Sequence, residues 1–95
     1  MSDDWPFADA RNAAVITVRQ IVHNGEPILR VSHDKDDGCW QFLEWETPEE
    51  EDAMVVALET IVALDPSVKE LADLPLRWRA FRREFGGQWY RKPET

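Results

Sequence analysis

Cysteine is nearly missing from this chain: its 95 residues include one, Cys39, so no internal disulfide can form. Glycine is scarce at four residues, and no Gly-rich stretch of the kind that cradles phosphate is present. No apolar run approaches the length of a membrane span. The first residues, with Asp3 and Asp4, lack the basic and apolar regions of a signal peptide, and the chain is therefore expected in the cytoplasm. Positive charge is the remaining deficit. Eleven Lys and Arg stand against 19 Asp and Glu, a net charge of −8 with a pI near 4.6. That balance disfavours wholesale binding to nucleic acid or anionic lipid. Internal repeats and low-complexity stretches are absent.

What is there is a folding sequence. An apolar fraction of 43% with five Trp separates it from a disordered acidic tail. At this length roughly two thirds of the unfolded surface is buried on folding, enough for one core. Residues 1–13 have no sustained period and read as an irregular lead-in, and 14–92 read as a single domain. The charge is unevenly spread. Residues 1–75 hold five basic and seventeen acidic side chains, a net −12; residues 76–95 hold six and two, a net +4.

Ala14 to Val22 is rich in β-branched residues and is followed by Asn24-Gly25, the dipeptide suited to a two-residue hairpin turn. Pro27 to His33 is then the expected return strand. This register sets Arg19 opposite Arg30, a like-charge pair that costs stability unless an acid, a ring or an anion covers it. The polar turn Asp34-Lys35-Asp36-Asp37-Gly38 leads to a third strand over Cys39 to Trp45. A slip of one residue there decides whether Trp40 and Phe42 or Leu43 and Trp45 join the core face. Thr47, Pro48 and Glu50 form a capping box with proline at the first helical position, and Met54, Ala57, Leu58, Ile61 and Leu64 recur at helical spacing. Together they predict one main helix over Thr47 to Leu64. Asp65-Pro66 repeats the cap-then-proline pattern ahead of a short helical turn. Trp78 to Arg82 fits either a helix or a strand; a strand is favoured, with Trp89 to Arg91 returning beside it after Gly86-Gly87. The fold class expected is α+β, an antiparallel sheet of three to five strands with one main helix packed on one face.

Several clusters of reactive side chains fail on spacing. His23 and His33 lie roughly 23 Å apart at about 3.3 Å per strand residue, too far for one metal with Cys39. Asp34-x-Asp36-Asp37-Gly38 places its Gly one position early for a calcium loop. Cys39 would need a His-polarised thiolate, and although His33 could lie nearby across the hairpin, strand residues so placed more often pack or face solvent; Glu49 to Asp52 is explained by the positive end of a helix dipole. No cofactor, metal or catalytic group is predicted. Arg77-Trp78-Arg79-Ala80-Phe81-Arg82-Arg83 interleaves cations and aromatics. It can serve a nucleic-acid strand, a protein partner, or the chain's own acids and Trp rings.

The stretch Ile28 to Leu43, with the run His33-Asp34-Lys35-Asp36-Asp37-Gly38-Cys39-Trp40-Gln41-Phe42 at its centre, resembles a family of small uncharacterised bacterial domains. So do Asp65-Pro66-Ser67, Leu71-Ala72-Asp73-Leu74-Pro75, Trp78-Arg79-Ala80 and Trp89-Tyr90-Arg91. That family looks related to the predicted immunity proteins of polymorphic toxin systems. The match runs from about Pro6 to Arg91. Where the family pattern has Gly before the tryptophan, this chain carries Arg77. The resemblance implies a compact α+β domain without an established enzymatic role and names no ligand; the function expected is a non-enzymatic, immunity-type protein that binds a toxin-like protein partner. The expected docking residues are Asp36, Asp37, Trp40, Trp78, Arg79, Arg82 and Trp89. A homodimer is open alongside that partner, and membrane binding is not expected. The alternative is a small regulatory or nucleic-acid-associated protein using the Arg/Trp-rich C-terminal segment.

Overall fold

Six short strands share one mixed sheet in this computed structural model, which describes residues 5–36, 38–46 and 48–94. They are β1 (Ala14–Val18), β2 (Arg30–His33), β3 (Trp40–Leu43), β4 (Ala53–Ala57), β5 (Trp78–Phe81) and β6 (Tyr90–Pro93), in the spatial order β4-β1-β3-β2-β5-β6. Two helices, α1 (Arg19–Asn24) and α2 (Leu58–Leu64), and two 3-10 turns, a short one over Glu50–Asp52 and a longer one over Pro66–Leu71, complete the described frame.

This architecture overturns the expected antiparallel sheet of three to five strands under one main helix. The β1/β2 hairpin does not form. Residues 19–24 turn into a helix directly after β1, and Gly25 ends that helix at φ 71° while the Glu26 N–H donates to the Gln20 carbonyl at 3.1 Å. Asn-Gly suits a helix C-terminus as well as a hairpin, because both need a residue in the left-handed region. β1 instead runs parallel to β3, with Ile16 opposite Gln41, and antiparallel to β4. The Arg19/Arg30 pairing disappears with the hairpin. Arg19 lies on α1 and pairs with Asp52 at 2.8 Å.

The helix expected over Thr47 to Leu64 is three elements. Thr47 lies outside the described residues; Glu50–Asp52 is a single 3-10 turn, Ala53–Ala57 is β4, and only Leu58–Leu64 is helical. Met54 and Ala57 matched the helical stripe, but β-branched Val55 and Val56 pair with Ile16 and Val15 of β1, and strand pairing prevails.

Other elements follow the sequence. β2 and β3 form a hairpin around the polar turn, where Gly38 has φ 69° and its N–H donates to the Asp34 carbonyl at 3.0 Å. Asp65 caps the 3-10 turn, accepting from the Ser67 N–H at 3.0 Å. Trp78–Phe81 is a strand, antiparallel to β2 and to β6.

One face of the sheet carries the core. Val15, Val31, Trp40, Phe42 and Ala80 point to it and meet Ile21 of α1, Leu58 and Ile61 of α2, Val68 and Leu71 of the 3-10 turn, and Phe7 of the lead-in. The β2/β3 register decides which aromatics go inside. Val31 pairs with Phe42 and His33 with Trp40, so Leu43 and Trp45 fall on the opposite side. Phe7 meets the Trp40 ring edge-on at 5.5 Å, and the Trp40 indole N–H donates to Asp9 Oδ1 at 3.2 Å.

Candidate functional site

Among the described residues no helix or strand lies over the opposite face of the sheet. Because registered neighbours share a face, one row of side chains crosses all six strands: Val55, Ile16, Gln41, Ser32, Arg79 and Lys92. It runs from apolar at the β4 edge, through two neutral polar residues, to cationic at the β6 edge. A second row beside it holds Leu43, Arg30, Phe81 and Tyr90. Trp45 joins this row, its ring 6.1 Å from Phe81, which is in turn 6.0 Å from Tyr90.

Backbone contacts hold this surface in place. Arg30 extends along the face, donating from Nε to the Glu44 carbonyl at 2.8 Å and from Nη2 to the Glu46 carbonyl at 3.2 Å, which fixes the segment carrying Trp45. Gln41 donates to Asp34 Oδ2 at 2.7 Å. Between the two rows lies an open hollow of about 530 Å³, floored by Leu43 and walled by Trp45, Phe81, Arg79 and Lys92, with Asp34 and Glu94 at its rim. Trp45 and Tyr90 are each about half exposed, at 47% and 52%, and Val55 is 70% exposed. Large apolar groups left in water on a sheet face are the usual mark of an interaction surface.

Trp45 also forms one wall of an adjacent hollow lined by Glu26, Glu44 and Glu46. Partial burial, together with the neighbouring charges of Glu26, Glu46 and Asp52, holds the Glu44 carboxyl above its ordinary range. The basic tail is not uniformly free. Arg91 pairs with Asp73 at 2.7 Å, and that hydrogen bond holds Asp73 below the usual carboxylate range.

The docking residues expected from sequence are divided by the fold. Arg79 is exposed on the open face and Asp36 is exposed in the β2/β3 turn; Asp37 lies outside the described residues. The other four are placed inward. Trp40 is fully inside, stacked on His33 at 3.9 Å. Trp78 is half-buried against the core, and Trp89 is buried. Arg82 is completely buried: Nη2 donates to Asp65 Oδ2, Nη1 to Ser67 Oγ at 2.9 Å and Nε to the Ile28 carbonyl at 3.0 Å. Its guanidinium lies 4.2 Å from the centre of the Trp89 ring. Trp40, Arg82 and Trp89 therefore serve the core as they stand, and Trp78 keeps part of its surface in solvent. Leu43, Trp45, Phe81, Tyr90 and Lys92 stand on the open face outside that expected set, and the alternation of Arg79 and Phe81 along a strand is the sequence signal that points to them.

Among the described residues no three of His, Cys, Asp and Glu converge in a way that could hold a metal ion. No helix among them is long and apolar enough to cross a membrane. His33 Nδ1 donates to the Leu74 carbonyl at 2.8 Å and serves the fold. No family model, curated protein or solved structure matches the chain.

Proposed function

We propose that the chain is a non-enzymatic binding protein of the immunity type, acting in the cytoplasm, which docks a toxin-like protein partner on the uncovered face of its sheet. The observation that carries this reading is the ladder Trp45, Phe81 and Tyr90 beside Arg79, in which the exposed Trp45, Tyr90 and Arg79 are of the residue types that dominate binding hot spots. The resemblance of residues 28–43 to predicted immunity proteins supports it. The experiment is co-expression of the chain with the product of each gene beside its own. Protection of growth and a complex that survives gel filtration are expected, and both are lost in Trp45→Ser with Tyr90→Ser. Absence of protection and of complex overturns the reading.

A nucleic-acid role has one observation in its favour, that cations and aromatics share a face. Arg82 takes no part in it, being sealed inside. A salt-dependent mobility shift of labelled single-stranded RNA or DNA, abolished by Arg79→Ala with Lys92→Ala, would establish that role in place of protein docking.

A further inference from the structure

Arg79 and Lys92 are directly opposite each other on β5 and β6, on the open face and in the same hollow. Like charges in that position repel, and sheets ordinarily relieve such a pair with an acid or separate it. Among the described residues neither side chain has an ion-pair or hydrogen-bond partner, whereas Arg19, Arg82 and Arg91 each hold a carboxylate and Arg30 two carbonyls. Two unpaired cations held together on an otherwise strongly acidic protein are a place where an incoming anion gains from both at once.

We infer that this pair is the anion-binding locus of the docking face, and that the partner segment sets one carboxylate between Arg79 and Lys92 and an apolar side chain over Leu43, Trp45 and Phe81. The inference rests on the proposed docking role and adds the partner's chemistry to it. The surroundings select a single anionic group, not a chain of them. Asp34 and Glu94 rim the same hollow, and Glu44 and Glu46 lie beyond Trp45, so successive phosphates of a nucleic acid would run from the cation pair onto carboxylates. A protein segment pays no such penalty, because its flanking residues can be neutral or basic. Acid beside apolar is therefore the motif this surface fits.

A random heptapeptide phage library selected on the full chain tests this, with the Arg79→Gln, Lys92→Gln double variant as comparison. Both substituted side chains are exposed, so the variant is expected to fold like the parent and to melt at or slightly above its temperature, since the repulsion across β5 and β6 is gone. The expected result is a motif pairing Asp or Glu with an apolar or aromatic residue. Binding of the selected peptide weakens about tenfold or more when its acid becomes the amide, or when the double variant is used. An apolar motif with no acid, still lost on Trp45→Ser, overturns the anion locus while the docking face stands. No motif at all overturns the docking face and the locus together. Tighter binding of an oligonucleotide than of any peptide, with a salt slope of several ions, overturns the choice of a protein partner.

Discussion

The Arg82 guanidinium and the Asp65 carboxylate meet inside the protein, joining the end of β5 to the cap of the 3-10 turn. Asp65 also receives the Ser67 hydroxyl at 2.6 Å, so one buried acid organises two neighbours. Removing one partner of such a pair strands the other charge, at a cost of about 3–5 kcal/mol. Arg82→Met is expected to lower urea stability by that amount. Adding Asp65→Leu should recover part of it, since no charge then remains unpaired; equal loss in the single and double variants would contradict the account.

Arg77 holds a left-handed backbone, φ 72°, between its N–H bond to the His33 carbonyl at 2.9 Å and its carbonyl bond to the Glu94 N–H at 2.6 Å. A side chain there costs about 1–2 kcal/mol, offset in part by the greater unfolded freedom of Gly. Arg77→Gly should raise stability by roughly 0.5–1 kcal/mol in denaturant titration.

Lys92→Gln removes the repulsion across β5 and β6. The free protein should gain roughly 0.2–1 kcal/mol while its docking weakens, the opposite signs expected of a side chain kept for binding. A loss of stability would mean that Lys92 serves the fold.

Glu44 gives a pH signature. Its pKa is raised on folding, so the unfolded chain releases this proton first as pH climbs through the ordinary value of 4.5. The wild type therefore loses stability relative to Glu44→Gln as pH rises above that value, and the two converge below it. Asp73 works in the other direction. Its lowered pKa means that the Arg91 contact stabilises above the ordinary 3.8 and is lost as pH falls. Thermal melts of the wild type, Glu44→Gln and Asp73→Asn between pH 3 and pH 7 read the two slopes.

The strands over 28–33, 39–45 and 78–82 were legible because β-branched and aromatic residues cluster there between turn signals, and the Asp65-Pro66 cap was legible from two residues. The Met54 to Leu64 stripe misled because a strand ending at Ala57 and a helix starting at Leu58 happen to share a helical spacing. Asn24-Gly25 misled because one backbone conformation serves two structures. The candidate face depended on a register that no local pattern sets. Whether Trp40 or Trp45 points inward follows from β3 lying between β1 and β2, a non-local pairing that also sent Arg82 inside and left Arg79 out.

The indole N–H signals of the five Trp give the most direct test, because they report both sides of the sheet in one spectrum. The Trp40 indole is bonded to Asp9 and Trp89 is buried against Arg82, while Trp45 stands half exposed beside Phe81. On titrating the ¹⁵N-labelled chain with the selected peptide, the Trp45 indole signal should shift and those of Trp40 and Trp89 should hold still. A bound peptide that leaves Trp45 unmoved would place the docking surface elsewhere and contradict the account.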